Sequence, residues 1–145
     1  MDICPGYWHW LDQQLEFDVV GSIEMIGREL KDGDDDLADW AMKRPKHFIS
    51  NDDTTTQRHF AEISQHVFSG KYNTGSRDNF LSKADPWLIA KAKTIGATVV
   101  THEARKEQSG NKVKVPDICD WFNVPCIDTF ALLRSLEARF INSKA

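Results

Sequence analysis

Residues 84–103, ADPWLIAKAKTIGATVVTHE, decide how this chain is read. Asp85 before Pro86 predicts a helix start, with a capping carboxylate followed by the residue best suited to the first helical position. Leu88, Ala92 and Ile95 then recur at helical spacing, Gly96 closes the helix, and ATVVT (97–101) is a short β-branched run that predicts a strand. Working outward, the same alternation continues. Upstream, TTTQRHFAEISQHVFSG (54–70) predicts a helix with Phe60, Ile63 and Val67 on one stripe and Gly70 at its end. HFIS (47–50) predicts a strand and KYNTGSRDN (71–79) a polar loop. Nearer the start, residues 7–16 predict a helix with Trp8, Leu11 and Leu15 aligned. A strand at 17–20 ends at Gly21, and Ser22 caps a helix whose buried face carries Ile23, Ile26 and Leu30. The acidic turn DGDDD (32–36) leads into the helix LADWAMKR, which Pro45 stops. Read as a calcium loop, that turn puts Leu37 where glycine belongs and Lys43 where a bidentate glutamate belongs. Downstream, Pro116 opens a helix, PCID (125–128) predicts a strand, and FALLRSLEARFINS (130–143) an amphipathic helix. Short apolar strands separated by helices predict an α/β domain with a short, mainly parallel sheet. In such sheets sites form beyond the carboxyl ends of strands, which draws attention to the loop after Val100.

Composition sets the bounds. The 145 residues fit a single domain, 1–145. At 41% apolar and 28% charged residues, a largely disordered chain is excluded. No apolar run approaches the length of a membrane span. MDICPGYWHW lacks the layout of a signal peptide. The three cysteines, at 4, 119 and 126, lack the spacing of a metal site and predict buried thiols in a reducing cytoplasm. The net charge of −4 disfavours non-specific binding to nucleic acid but allows a local basic patch. The five tryptophans, at 8, 10, 40, 87 and 121, predict an aromatic core or a partner surface.

Three carboxylates stand out. Glu29 sits at the edge of an apolar stripe, where a charge must be paired, hydrated or bound to a cation. Asp85 opens the central helix, a place for which an ordinary N-cap is the simpler explanation. Glu103 follows the strand ATVVT on the ligand-binding side of a parallel sheet. Together they suit a divalent cation, which takes one or two carboxylates, waters and phosphate oxygens. Directly after Glu103, residues 104–114 (ARKEQSGNKVK) carry Arg105, Lys106, Lys112 and Lys114 against Glu107. That run is either a solvated loop or a phosphate-neutralising one. No HExxH, Gly-rich phosphate loop or GxSxG pattern is present.

The string ADPWLIAKAKTIGATVVTHE resembles the signature of PIN-domain nucleases, in which an Asp opens a helix and a short strand then ends in Thr-x-Asp/Glu. DVVGSIEMIGREL (18–30) resembles the preceding strand and acid-bearing helix of that family. KVPDICDWFNVPCIDTFALLRSL (114–136) is similar to the VapC-like PIN toxins whose members pair with helix-turn-helix antitoxins. The resemblance implies a three-layer α/β/α fold and an endoribonuclease that uses Mg2+ or Mn2+ and a water nucleophile. It implies that Glu29, Asp85 and Glu103 are the catalytic, metal-binding acids. Thr101 stands beside the last acid, and Arg105, Lys106, Lys112 and Lys114 meet the RNA. The implied partners are an RNA substrate, a cognate antitoxin and a second copy of the chain, in the cytoplasm, with no membrane.

One departure qualifies this. PIN domains open with a central strand that ends in an Asp-Thr/Ser-Asn motif, and MDICPGYW resembles the segment after it. The expectation is a domain N-terminally incomplete relative to the family, short of the first strand and first acid. Asp2 is too near the terminus to replace that acid. Asp128-Thr129 mimics the motif but sits on the last strand. Two alternatives therefore stand beside the ribonuclease: a catalytically silent PIN-like binding or oligomerisation module, and a DNA-directed nuclease. Oligomerisation would fill the gap in the sheet.

Overall fold

The computed structural model describes residues 22–23, 25–26, 28, 39, 42–43, 48–101, 103 and 111–135, the side chains of 133 and 135 excepted. The predictions for 7–20, 32–36 and 136–143 lie outside these residues. The protein is a mixed α/β chain of two compact units, one of residues 1–49 and 133–145, the other of residues 50–132.

In the first unit, strands β1 (Ser22–Ile23) and β2 (Phe48–Ile49) pair in parallel, Ser22 opposite Phe48 and Ile23 opposite Ile49. Ile23 and Phe48 are buried. The expected strand at 47–50 is therefore present. Ser22, expected to cap a helix, instead belongs to a strand. The helix follows it, with Met25, Ile26 and Arg28 helical. β-branched Ile23 suits a buried pleat better than a first helical turn, and that preference moves the boundary.

The second unit carries helices α1 (Thr54–Ser69), α2 (Thr74–Leu81) and α3 (Asp85–Ile95), strand β3 (Val99–Val100), helix α4 (Val115–Trp121) and strand β4 (Cys126–Ile127). Helix α5 (Thr129–Ser135) begins in it. Strands β3 and β4 are parallel, Val99 opposite Cys126 and Val100 opposite Ile127. Two further bonds lengthen the ladder, from the Val99 amide to Pro125 O at 2.8 Å and from the Thr101 amide to Ile127 O at 3.0 Å. The core is Ile63 and Val67 of α1, Phe80 of α2, Ile89 and Ala90 of α3, Val99, and Ile118 and Cys119 of α4. Cys119 and Cys126 are buried thiols, as expected.

Helices α1 and α3 run antiparallel, since Thr56 meets Thr94 while Phe60 stacks on Trp87 at 3.9 Å between ring centroids. Asp53 caps α1, accepting from the Thr56 amide at 3.0 Å. The same carboxylate accepts from the Lys91 ammonium at 2.8 Å, so one residue both starts a helix and ties it to its neighbour. The Thr56 hydroxyl, fully buried, is satisfied by Asp53 and by Thr94 at 2.9 Å.

Residues 71–79, expected to be a loop, hold most of α2. Asn73 caps it, its side chain accepting from the Gly75 and Ser76 amides. Phe80 is the helix's one buried residue, so the segment has too little apolar periodicity to announce itself. Gly96 closes α3 in the left-handed conformation, φ 70°, where glycine carries no Cβ penalty.

Candidate functional site

The start of α3 differs by one residue from the expectation. Ala84 is the capping position, Asp85 the first helical residue and Pro86 the second. Ala84 supplies no side-chain cap. The Asp85 carboxylate therefore lies in the first turn of an 11-residue helix, where the helix dipole favours negative charge.

Only residues 96–98 join α3 to β3, and the two elements are in contact. Asp85 stands at the beginning of α3, and Glu103 follows β3.

Glu103 is held firmly. Its amide donates to Thr101 Oγ1 at 3.2 Å, and its Oε2 accepts from the Val115 amide, the first of α4, at 2.7 Å. The capping residue of α4, Lys114, provides no side-chain bond, so Glu103 satisfies that helix start from outside it. Glu103 Oε1 makes no hydrogen bond among the described residues. Thr101, expected beside the last acid, bonds the Glu103 main chain, and the carboxylate itself is held by the Val115 amide.

Residues 111–115 form a strap that leads into α4, with Lys114 extended. Asn111 O accepts from the Asn73 amide at 2.6 Å, and the Val113 amide donates to Ser76 Oγ at 3.0 Å. Val113 and Val115 are buried, Lys112 is exposed and Lys114 half-buried. Two of the four expected RNA-contacting cations are thus placed beside the end of β3. Arg105 and Lys106 lie outside the described residues, as does Glu29. Among the described residues no group of three His, Cys, Asp or Glu side chains is arranged to hold a metal ion.

Asp128, set aside in the sequence as a mimic of the missing motif, has a structural role. Its Oδ1 accepts from the Ala131 amide at 2.7 Å and caps α5. The residues that sequence reasoning missed are Asn73 and Ser76, which anchor the strap from inside the segment expected to be a loop. Their signal was present in Asn-x-Gly-Ser, a capping side chain before a helix start.

A second polar–aromatic group surrounds His66. Its ring stacks on Trp121 at 4.4 Å and meets the edge of Phe122 at 5.7 Å, with Tyr72 Oη 3.4 Å from Nε2. Desolvation lowers the pKa of His66 below its usual 6.5. The Tyr72 hydroxyl is raised by burial and by the nearby negative charge of Asp117. Trp121 is 67% exposed.

Among the described residues no helix is long and apolar enough to cross a membrane. No curated protein and no solved structure matches the chain. Residues 1–140 match the family described as a domain of unknown function, DUF4411, and the chain belongs to that family.

Proposed function

We propose that this protein is a PIN-like, metal-dependent endoribonuclease that acts as the toxin of a toxin–antitoxin pair. The observation that supports the reading is Glu103, held after β3 through one oxygen by the Val115 amide, next to a strap bearing Lys112 and Lys114. A carboxylate fixed through one oxygen, with the other facing no protein donor among the described residues, suits a hard divalent cation. Asp85 and Glu103, with Glu29 as the third acid, would hold Mg2+ or Mn2+. Such an ion lowers the pKa of bound water and offsets charge on the scissile phosphate. Asp85 supplies negative charge from a helix start whose position α1 fixes through Lys91. Glu103 keeps its orientation through Thr101 and Val115. Lys112 and Lys114 neutralise the phosphates of the entering strand.

The test is cleavage of labelled single-stranded RNA by the purified chain with Mn2+, with Mg2+ and with EDTA. Cleavage that needs the metal and is abolished by Asp85→Asn is the expected result. No cleavage under any of these conditions refutes the enzyme. Equal cleavage of DNA would make the protein a DNA-directed nuclease.

A second reading has its own support. Glu103 Oε2 is already engaged by an amide, and Trp121 and Phe130, 67% and 70% exposed, are large apolar side chains on the surface. A silent PIN-like module that binds an antitoxin or its own copy would use such residues. Light scattering of the purified chain, with and without Trp121→Ala and Phe130→Ala, tests self-association.

A further inference from the structure

We propose that residues 111–115 are a preorganised phosphate rail, on which Lys112 and Lys114 engage two successive phosphates of a single-stranded nucleic acid, with Glu103 as the residue that positions it. The inference rests on the nucleic-acid reading above and gives that site a specific mode of substrate binding.

Every second residue of the strap is committed inward. Asn111 O takes the Asn73 amide, the Val113 amide takes Ser76 Oγ, and the Val115 amide takes Glu103 Oε2. Val113 and Val115 also bury their side chains in the core. The side chains of the alternate residues, Lys112 and Lys114, make no hydrogen bond or ion pair among the described residues, and the Lys114 carbonyl accepts from the Ile118 amide. Lys114 is extended, φ −118° and ψ 137°, and two residues of extended chain advance about 6.6 Å. That repeat is comparable to the distance between neighbouring phosphates on one strand. Two ammonium groups on one side of a fixed backbone therefore follow a single strand rather than straddle a duplex groove. Preorganisation matters because lysine stems are flexible, and pinning their backbone removes part of the ordering that binding would otherwise require.

The three anchors come from three places: the α1–α2 connection, α2, and the end of β3. Glu103 is the only charged one. Its second oxygen makes no hydrogen bond among the described residues, so on the proposed function the residue that fixes the rail is also a candidate ligand for the cation. Rail and cleavage centre would then share one hinge, and a phosphate seated on Lys114 would be held at a set distance from the acids.

The experiment is fluorescence anisotropy with a labelled single-stranded oligoribonucleotide in EDTA, so that binding is read without cleavage. Lys112→Ala and Lys114→Ala are each expected to weaken binding several-fold and to reduce the salt slope by about 0.7. Glu103→Ala is expected to do the same and to speed hydrogen exchange at the Val115 amide. Glu103→Gln, which keeps an oxygen acceptor for that amide, is expected to keep exchange at Val115 as slow as in the wild type. The rail is overturned if both lysine variants bind like the wild type, if duplex RNA binds as tightly as single strand, or if Glu103→Ala leaves exchange at Val115 unchanged. RNA bound through the lysines but never cleaved with Mn2+ would refute the nuclease and leave the rail standing. Wild-type cleavage by the double lysine variant would refute the rail and leave the nuclease standing.

Discussion

His66 shows how a single side chain couples this fold to pH. Packed against Trp121 and Phe122, it is held below its usual 6.5 by desolvation. The unfolded chain therefore takes up that proton more readily than the folded one. The stability linked to the neutral ring is fully present above pH 6.5 and is lost as pH falls through the lower folded value. Thermal melts between about pH 7.5 and about pH 5.5 are expected to show a fall in midpoint that His66→Gln reduces. Equal slopes for the two proteins would refute the linkage. Thr56 is a second residue-scale test. Its buried hydroxyl joins Asp53 to Thr94, so Thr56→Val leaves partners unsatisfied and is expected to destabilise by about 1–3 kcal/mol in chemical denaturation. Asp53 itself lies well below the usual carboxylate range, first through its bond to Lys91 and then through Thr56. The stability it contributes is present above the unfolded value of 3.8 and is lost as pH falls below that. None of these partnerships was legible beforehand, because residues 38 positions apart, such as Asp53 and Lys91, show no pairing signal in one sequence.

At the scale of elements, legibility followed apolar periodicity. Helices α1 and α3 were readable because Ile63 with Val67, and Leu88 with Ala92, recur at helical spacing, although α3 buries Ile89, Ala90 and Ala92 and leaves Ile95, expected on its stripe, exposed. Strands β2, β3 and β4 were readable as short apolar runs between turn signals, despite having two residues each. Helix α2 was not, because one buried phenylalanine gives no period, and its start depends on a capping side chain instead. That dependence is testable. Asn73→Ala removes the acceptor of two amides and is expected to cost about 1 kcal/mol, read as a lower denaturation midpoint. The same variant is expected to keep the backbone bond from residue 73 to Asn111 O, since the amide is unchanged. At the other end of α3, Gly96→Ala meets no atom within 4 Å, so any loss comes from the backbone alone. A cost of about 1–2 kcal/mol is expected for the left-handed conformation. A neutral substitution there would mean that the turn after α3 relaxes.

At the scale of the molecule, the chain divides into two compact units. Residues 50–132 contain their own core, a paired parallel sheet, Asp85, Glu103 and the strap. Glu29 belongs to the other unit. The sequence made the three acids visible through their neighbours. Whether they share one place depends on how segments far apart in the chain pack, which a single sequence does not carry. A fragment of residues 50–132 therefore makes a sharp test. With fully buried Ile63, Ile89 and Ile118 sharing one cluster, it is expected to fold alone, giving a helical far-UV CD spectrum and a cooperative melt. Ile118→Ala in that fragment is expected to lower its stability by about 2–5 kcal/mol, which would confirm that the core, and not residual helix, produces the transition. On the proposed function, the same fragment should bind single-stranded RNA through Lys112 and Lys114 yet fail to cleave it, because one acid is missing. Cleavage by the fragment at the rate of the whole chain would remove Glu29 from the site. A fragment that melts without cooperativity would show that the core of residues 50–132 needs the rest of the chain to form.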